Sequence, residues 1–282
     1  MSPIKIAIIG GSGIYKLDTI KVKNQHKVTT PFGDPSAEIM ECEVDGNPFY
    51  FLPRHGIGHH LNPSEVNYRA NIFSLKKLGV NTIISISAVG SLQEQYAPKH
   101  FVMVDHFIDW TKGLRKRTFF ESGIVGHVST ANSVERSLSK KLYEASNRAG
   151  ITSHLGGTYI CIEGPQFSTK AESNIYRSFG ASVIGMTNVP EAYLAKEAGI
   201  AYATVAMVTD YDCWKEEHCT VQEIMDVMKS NYISAQSFVK EIISDLHSNP
   251  IIFEPENQYA VITDSSLHNN SHKEILEILL KK

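Results

Sequence analysis

The stretch KIAIIGGSG, residues 5–13, decides the fold class, because it joins a short apolar run directly to a glycine-rich turn. Residues 5–9 are rich in isoleucine and are typical of a buried β-strand. Gly10, Gly11 and Gly13 carry no side chains that would crowd a sharp turn, so backbone N–H groups are free to face an anion there. The chain therefore begins with a strand and a tight loop, which we take as the first unit of an α/β fold.

The rest of the chain alternates between strand and helix patterns. Short runs rich in β-branched and aromatic residues predict further strands at 38–43, 49–52, 82–87, 101–104, 158–162, 183–186 and 202–208. Helical spacing puts Val66, Ala70 and Phe73 on one apolar face, and Val134, Leu138 and Leu142 on another. This alternation predicts an α/β protein with a central mixed sheet flanked by helices.

Nothing divides the sequence into separate domains. It contains no internal repeat, charge run or Pro/Gly/Ser-rich linker, so we predict one domain over residues 1–282, with a C-terminal helical extension from about residue 245. Thr220 and Glu223 form a capping-box pair that opens a helix, and Ser271 and Glu274 predict the same device for the last helix. The first of these helices carries an apolar stripe, for which spacing alone favours core packing: Val221, Ile224, Met225 and Met228.

Composition disfavours several classes of protein. The formal net charge is −3 and the isoelectric point is near 6.5, so there is no basic excess to neutralise nucleic-acid phosphates. No apolar stretch approaches the roughly 20 residues that span a bilayer, and the N-terminal run is too short and too glycine-rich for a signal peptide. The 4 cysteines show no CxxC pair, which favours reduced thiols and a cytoplasmic location.

Oxyanion donors follow several of the predicted strands. Ser12 stands in the first glycine turn, the loop Ala88-Val89-Gly90-Ser91 follows the strand at 82–87, and Thr187 follows the strand at 183–186. The carboxyl ends of strands in open α/β sheets are where ligands bind. Arg54 also ends a predicted strand, and its planar guanidinium suits a phosphate. Each signal is weak alone, but together they indicate one phosphate site.

His55 and His59 stand beside this arginine. His55 is a candidate for one more hydrogen-bond donor to the phosphate, whereas lone histidines are more often structural. The two have HxxxH spacing, but no glutamate completes an HExxH zinc motif, so we expect no metal. Lys16 stands where a dinucleotide-binding loop needs its third glycine, which argues against NAD.

The most informative stretch is VTDYDCW, residues 208–214, in which Asp210 and Asp212 follow a long apolar strand. Residues two apart in extended chain point the same way, and carboxylates that share a pocket raise one another's pKa. One of them can then remain protonated as a general acid while the other accepts hydrogen bonds. A solvated acidic loop or a cation site is the alternative reading of such a pair.

Eight motifs, in this order along the chain, closely resemble the methylthioadenosine phosphorylase branch of the purine nucleoside phosphorylases: GGSGIY, TPFGDPS, PRHG, VNYRAN, SAVGS, EGPQFST, GMTNVPE and MVTDYDCW. The resemblance implies a homotrimer with a partly closed sheet and a pocket near the subunit interface. It also implies an enzyme in which inorganic phosphate, as co-substrate, attacks the anomeric carbon of 5'-methylthioadenosine and gives adenine and 5-methylthioribose-1-phosphate. No metal or organic cofactor takes part.

The same resemblance assigns roles to residues. Those expected around the phosphate are Ser12, Arg54, His55, Ser87, Ala88 and Thr187. Met186 is expected to face the ribose, and Phe167 and Ser168 to lie against the base. Asp210 is expected to share a proton with N7 of the purine, and Asp212 to accept a hydrogen bond from its 6-amino group.

The 5' substituent is expected to contact an apolar helix face and a histidine. Val221, Ile224 and Met225 form that face, and His127 of GIVGHV is the histidine. Gly185, Ser12 and Ser87 depart from the animal enzymes, where Asn, Thr and Thr are expected. A phosphorylase for methylthioinosine or for adenosine and inosine, a hydrolytic nucleosidase, and a noncatalytic purine-binding protein stay open as alternatives.

Overall fold

The computed structural model describes residues 3–11, 20–215 and 220–281. The strands are β1 (Ile6–Gly10), β2 (Lys21–His26), β3 (Ile39–Val44), β4 (Asn47–Pro53), β5 (Thr82–Ser91), β6 (Phe101–Val104), β7 (His106–Trp110), β8 (Ser153–Leu155), β9 (Thr158–Ile162), β10 (Val183–Gly185) and β11 (Ala201–Tyr211). The helices are α1 (Tyr68–Lys77), α2 (Arg136–Arg148), α3 (Lys170–Ser178), α4 (Asn188–Glu197), α5 (Val221–Ser248) and α6 (Asn270–Leu279), with a short 3-10 turn at Ser265–Leu267.

The strands form one mixed sheet that branches at β5. One path runs β2-β3-β4-β1-β5-β10-β9-β7, and β11 joins β5 to β6 and then β8. β11 pairs in parallel along one edge of β5 from Thr82 to Ser91. The opposite edge of β5 is shared between β1 at residues 82–85 and β10 at residues 90–91. The predicted α/β class and mixed sheet are therefore confirmed.

The core lies on both faces of this sheet. Side chains alternate along a strand, so Ile6 and Ile8 of β1 join a buried cluster under α2 and α5. Ala7 and Ile9 of the same strand join a second cluster under α1, α4 and α6. Burial on both faces explains why the parallel strands read as continuous apolar runs in the sequence. β2, by contrast, is an exposed polar edge strand, and no apolar pattern marks it.

Most helix boundaries follow from local capping. The capping box of Thr220 and Glu223 is formed at the start of α5, as predicted. The prediction for the last helix was wrong by two residues, because Asn269 and His272, rather than Ser271 and Glu274, form the capping box of α6. The side chain of Asn269 accepts a hydrogen bond from His272 N at 2.9 Å. None of the described helices is long and apolar enough to cross a bilayer.

The segment after α5 packs back onto the domain. Ile275, Leu276 and Leu279 of α6 are buried in the same cluster as residues of α1. Asn257 ties this segment to the end of α4, because its amide donates to Glu197 O at 2.8 Å and to Leu279 O at 3.0 Å. The extension therefore contributes to the core on the α1 face of the sheet.

Candidate active site

A cavity of about 330 Å³ opens where four parallel strands end. β1 runs parallel to β4 and β5, and β5 runs parallel to β11. Gly11 and Arg54, just past β1 and β4, and Ala88 and Asp210, in the carboxyl-terminal parts of β5 and β11, all line the cavity. The structure thus brings together residues that the sequence analysis had placed at separate strand ends.

Two buried hydroxyl groups occupy one side of the cavity. Ser87 and Thr187 are each 6% exposed, and their side-chain oxygens are 3.4 Å apart. Ala88, beside them on β5, is exposed and lines the same cavity, where its backbone can contact a ligand. Ser12, also expected here, lies outside the described residues. These groups form the wall at which the sequence predicts phosphate.

Arg54 lines this wall but is largely engaged with protein groups. Its Nε and Nη2 atoms donate to the carboxylate of Glu191 at 2.7 and 2.9 Å, and Nη2 also donates to Ser85 Oγ at 2.7 Å. Nη1 donates to Ile86 O at 3.0 Å. The guanidinium is 2% exposed, and the buried carboxylate compensates its charge. Among the described residues, only the second N–H of Nη1 is without a partner, so Arg54 offers one free N–H donor beside the predicted phosphate position.

His55 needs a correction, because its tautomer is fixed by the protein. Its Nδ1 lies 2.9 Å from the backbone oxygen of Leu61, and a carbonyl only accepts, so Nδ1 carries the proton. Burial, and then the charge of Arg54, lower the pKa of His55 to about 4. The neutral ring therefore presents Nε2 as an acceptor, rather than the donor expected from the sequence. His59 stacks on this ring, with the centroids 4.3 Å apart.

Asp210 and Asp212 reach the cavity together because β11 bulges beside β5. The register shifts between Val208 and Asp210, so Thr209 has no partner on β5. Both carboxylates line the cavity next to Gly90 of β5. A Cβ at Gly90 would lie 3.5 Å from Asp210 Oδ2 and from Asp212 Cβ, which is ordinary contact, and 3.1 Å from Ile184, which is tight. Gly90 therefore lies directly against both acids.

The two carboxyl groups differ in their partners. Thr209 donates to Asp210 Oδ1 at 2.6 Å, which leaves Oδ2 for a ligand. Asp212 is 8% exposed, and its Oδ2 atom makes no close hydrogen bond to a described residue, although the Ser173 hydroxyl and the backbone of Cys213 lie near enough to favour its charged form. Burial raises the pKa of both groups, and the charge of Asp212 raises that of Asp210 further. This arrangement suits one carboxyl that shares a proton and one that accepts a hydrogen bond.

Ser91, at the end of β5, holds the acid-bearing loop in place. Its carbonyl accepts from the backbone N–H of Asp212 at 2.9 Å and from the indole N–H of Trp214 at 2.8 Å. The Trp214 ring packs against the guanidinium of Arg177, 3.6 Å from the ring centroid. The aromatic residue that ends the TDYDCW motif is therefore an anchor for the loop.

The loop after β9 and the residue after β10 supply another wall. Phe167 and Ser168 line the cavity, and Phe167 is 67% exposed, which puts it at the rim. Met186 also lines the cavity, and its carbonyl accepts from Arg115 Nη1 at 2.7 Å. Arg115 is buried and paired with Glu163 at 3.0 Å, so it fixes both segments. No pattern in the sequence had pointed to Arg115.

Helix α5 closes the cavity with residues four apart: Ile224, Met228 and Tyr232. Met225, expected at the cavity, is 45% exposed and does not line it. It lies about 100° around the helix from Ile224, which turns it away. The side chain of Val221 lies outside the described part of the chain. Met228 belongs to the apolar stripe noted in the sequence, and only the orientation of the helix could single it out.

His127 is not brought to the cavity of its own chain. Its backbone N–H donates to Ala260 O at 2.8 Å, in a short bridge between residues 126–127 and the C-terminal segment. Its expected contact with a 5' substituent is therefore absent within the single chain described. Nowhere in residues 3–11, 20–215 and 220–281 do three or more His, Cys, Asp or Glu side chains gather as a metal site would require.

Comparison with known proteins places this cavity in a family. The sequence pattern of the phosphorylase superfamily matches residues 5–244. The S-methyl-5'-thioadenosine phosphorylase of Geobacter sulfurreducens is 49% identical, over 98% of this chain and 97% of the relative. The protein of the same name from Thermosynechococcus vestitus is 47% identical, over 99% of this chain and 98% of the relative.

Solved structures of methylthioadenosine phosphorylases also resemble this chain. A methylthioadenosine phosphorylase from an antarctic soil metagenomic library superposes with a TM-score of 0.93 at 44% identity, and all of both chains is covered. The methylthioadenosine phosphorylase of Schistosoma mansoni, in complex with adenine, has a TM-score of 0.82 at 36% identity. That comparison covers 87% of this chain and 93% of the other.

Proposed function

This chain belongs to the phosphorylase superfamily, among the S-methyl-5'-thioadenosine phosphorylases, and we propose that it catalyses phosphorolysis of 5'-methylthioadenosine. The products are adenine and 5-methylthioribose-1-phosphate, and the enzyme is a pentosyltransferase. The identity of about half of all residues with relatives of that name supports the reaction class. The choice of substrate depends on the cavity.

One observation carries the proposal: a cluster of hydroxyl groups and a pair of buried carboxyl groups line the same cavity. Ser87 and Gly90 are separated by three positions on β5, roughly 10 Å of extended chain, and Gly90 adjoins Asp210 and Asp212. That span matches a nucleoside whose sugar lies between a phosphate and a purine. Phosphate therefore belongs at Ser87 and Thr187, and the purine at the acid pair.

The chemistry follows from the charge that develops as the glycosidic bond breaks. The sugar becomes positive and the departing purine becomes negative. The phosphate dianion at the hydroxyl wall stabilises the sugar and attacks its anomeric carbon. Asp210, whose pKa burial raises, shares a proton with N7 of the leaving base. The reaction needs inorganic phosphate as a co-substrate and no other cofactor.

Asp212 sets the preference for adenine. Its Oδ2 atom, which makes no close hydrogen bond to a described residue, accepts a hydrogen bond from the 6-amino group. A 6-oxopurine brings a second acceptor to the same place, and two buried acceptors without a proton between them repel. Methylthioadenosine and adenosine are therefore preferred over the corresponding inosines.

The α5 face selects the 5' substituent. Ile224 and Met228 present apolar atoms to the cavity, and neither satisfies a 5'-hydroxyl, whereas Tyr232, one turn further along α5, places its hydroxyl beside Gly11. A methylthio group loses nothing by burial there, whereas a hydroxyl needs a partner. This wall favours methylthioadenosine over adenosine, which is the substrate choice expected of an enzyme of purine and methionine salvage.

We further propose that the enzyme acts as a cytoplasmic homotrimer. Large apolar side chains are exposed, among them Phe167 at the rim of the cavity and Leu114, the latter 74% exposed. Trp110 and Phe179 pack on one another, with ring centroids 5.5 Å apart, and both stay partly exposed. A second subunit that covers such a patch also offers the route by which His127 reaches a neighbouring cavity.

Release of free base tests the proposal. Initial rates are measured for methylthioadenosine, adenosine, methylthioinosine and inosine, each with and without phosphate. We expect phosphate-dependent cleavage with the highest kcat/KM for methylthioadenosine. A higher kcat/KM for the inosines would favour the 6-oxopurine alternative, and cleavage without phosphate would favour a nucleosidase.

A further inference from the structure

The hydroxyl wall depends on a buried tyrosine that no sequence motif singled out. Tyr159 of β9 is fully buried, and its hydroxyl reaches across to the residues that line the cavity. Its Oη atom lies 3.4 Å from Ser87 Oγ and 3.4 Å from the backbone nitrogen of Thr187. One hydroxyl group therefore contacts both residues at which the proposed function puts phosphate.

Gly185 makes room for this hydroxyl. A Cβ atom at position 185 would lie 2.0 Å from Tyr159 Oη and 2.6 Å from the ring carbon that bears it. Gly185 does not have a positive φ, so its conformation does not require glycine. Glycine is required at position 185 because any side chain there would collide with the Tyr159 hydroxyl.

Only one of the hydrogen bonds around Tyr159 has a fixed direction. A backbone N–H only donates, so Tyr159 Oη accepts from Thr187. Either hydroxyl can donate between Tyr159 Oη and Ser87 Oγ, so the Ser87 proton is free to turn to another acceptor when the phenol donates. The nearest protein acceptors for that Ser87 proton are Ala88 O at 3.3 Å and Thr187 Oγ1 at 3.4 Å.

These distances, like the 3.4 Å between Tyr159 Oη and Ser87 Oγ, are long for an O–H···O bond, which is usually about 2.7–2.8 Å. The hydroxyls therefore satisfy one another poorly. An anionic oxygen placed between them is a much stronger acceptor. The Ser87 and Thr187 hydroxyls can therefore donate to an anion in the cavity.

We propose, on the basis of the proposed function, that Tyr159 is a positioning residue for phosphate. Its hydroxyl can donate to Ser87 Oγ while Ser87 donates to the anion, and it accepts from the backbone N–H of Thr187. It does not touch the nucleoside. Loss of its hydroxyl weakens phosphate binding and leaves nucleoside binding intact.

The test is Tyr159→Phe, which keeps the ring and removes only the hydroxyl. We expect KM for phosphate to rise about tenfold, the usual order for one lost hydrogen bond that orients a charged partner, with KM for methylthioadenosine changed less than about twofold. Tyr96→Phe is the matched control, because Tyr96 is buried in the same cluster and does not line the cavity. Equal rises in both KM values, or no rise for phosphate, would overturn the proposal.

A double-mutant cycle asks whether Tyr159 acts through Ser87. In a Ser87→Ala background, Tyr159→Phe is expected to raise KM for phosphate by no more than about twofold. An undiminished tenfold effect would show that Tyr159 acts elsewhere. Calorimetric binding of inorganic phosphate to the free proteins repeats the comparison without turnover. If the wild-type protein binds phosphate but cleaves nothing, the proposed function fails while Tyr159 is still judged by its phosphate Kd.

Discussion

Asp212→Asn should invert the preference between amino and oxo purines. The substitution keeps the shape of the side chain, and the backbone N–H of residue 212 still donates to Ser91. Because Asp212 is 8% exposed and its Oδ2 makes no close hydrogen bond to a described residue, the wild-type carboxylate is free to accept from a 6-amino group. In the variant, the side-chain NH2 of the asparagine would lie opposite the 6-amino group of the base, and two donors cannot form a hydrogen bond with each other. One lost charge-assisted bond and one unpaired buried donor together cost about 2–4 kcal/mol.

That energy corresponds to a fall in kcat/KM for methylthioadenosine of about 30- to 1000-fold. The same NH2 donates to a 6-oxo oxygen, so kcat/KM for methylthioinosine should rise, and the ratio of the two should reverse. Both ratios come from initial rates of base release at saturating phosphate. Asp210→Asn is the matched variant, because it should slow both substrates without reversing their order. An unchanged order in Asp212→Asn would refute the assignment of this carboxylate to the 6-position.

Four further results are expected. Burial raises the pKa of Asp210, so its active protonated form is present below that pKa, and kcat should fall as the pH rises through it; a pH–rate profile without this limb would contradict the role of general acid. Glu191→Gln removes the negative charge that compensates the buried guanidinium of Arg54, so it should lower the free energy of unfolding in urea by about 3–5 kcal/mol. A loss below about 1 kcal/mol would show that this ion pair contributes little to stability. Sulfate, which has no proton to offer the acceptor nitrogen of His55, should show a competitive Ki about 30-fold above the KM for phosphate, and equal constants would mean that His55 donates. Met228→Ala should raise KM for methylthioadenosine about tenfold while Met225→Ala leaves it unchanged, and similar effects would place both on the substrate.

The sequence predicts those parts of the fold that depend on neighbouring residues. Residues 101–104 and 158–162 were expected as strands and are β6 and β9, because their apolar runs are buried on both sides. The capping box of α5 was readable since Thr220 and Glu223 are three residues apart. β2 could not be predicted, because an exposed polar edge strand is held only by its pairing with β3.

The sequence also predicts only part of the candidate site. Residues at strand ends, such as Ser87 and Asp210, could be expected to meet because parallel strands bring their carboxyl ends to one edge. The Arg54–Glu191 pair could not, since its members are 137 residues apart and only packing reveals that the arginine is occupied. The position of Tyr159 could not be predicted either, because a strand pattern does not show which buried side chain contacts the residues that line the cavity.

The tautomer of His55 illustrates the remaining gap. Residue type permits it to donate or to accept, and the choice depends on a contact with the backbone of Leu61 six residues later. The turn between them, rather than either residue, decides the chemistry. Such choices are fixed by the path of the chain in space, which the motif alone does not encode.

The most direct test of the central claim is the stoichiometry of the products from methylthioadenosine and inorganic phosphate, followed by phosphorus NMR for the sugar phosphate and by absorbance for the base. We expect one equivalent of 5-methylthioribose-1-phosphate for each adenine released, and no adenine when phosphate is left out. Adenine released together with free methylthioribose, at a rate independent of phosphate, would contradict the proposed phosphorolysis.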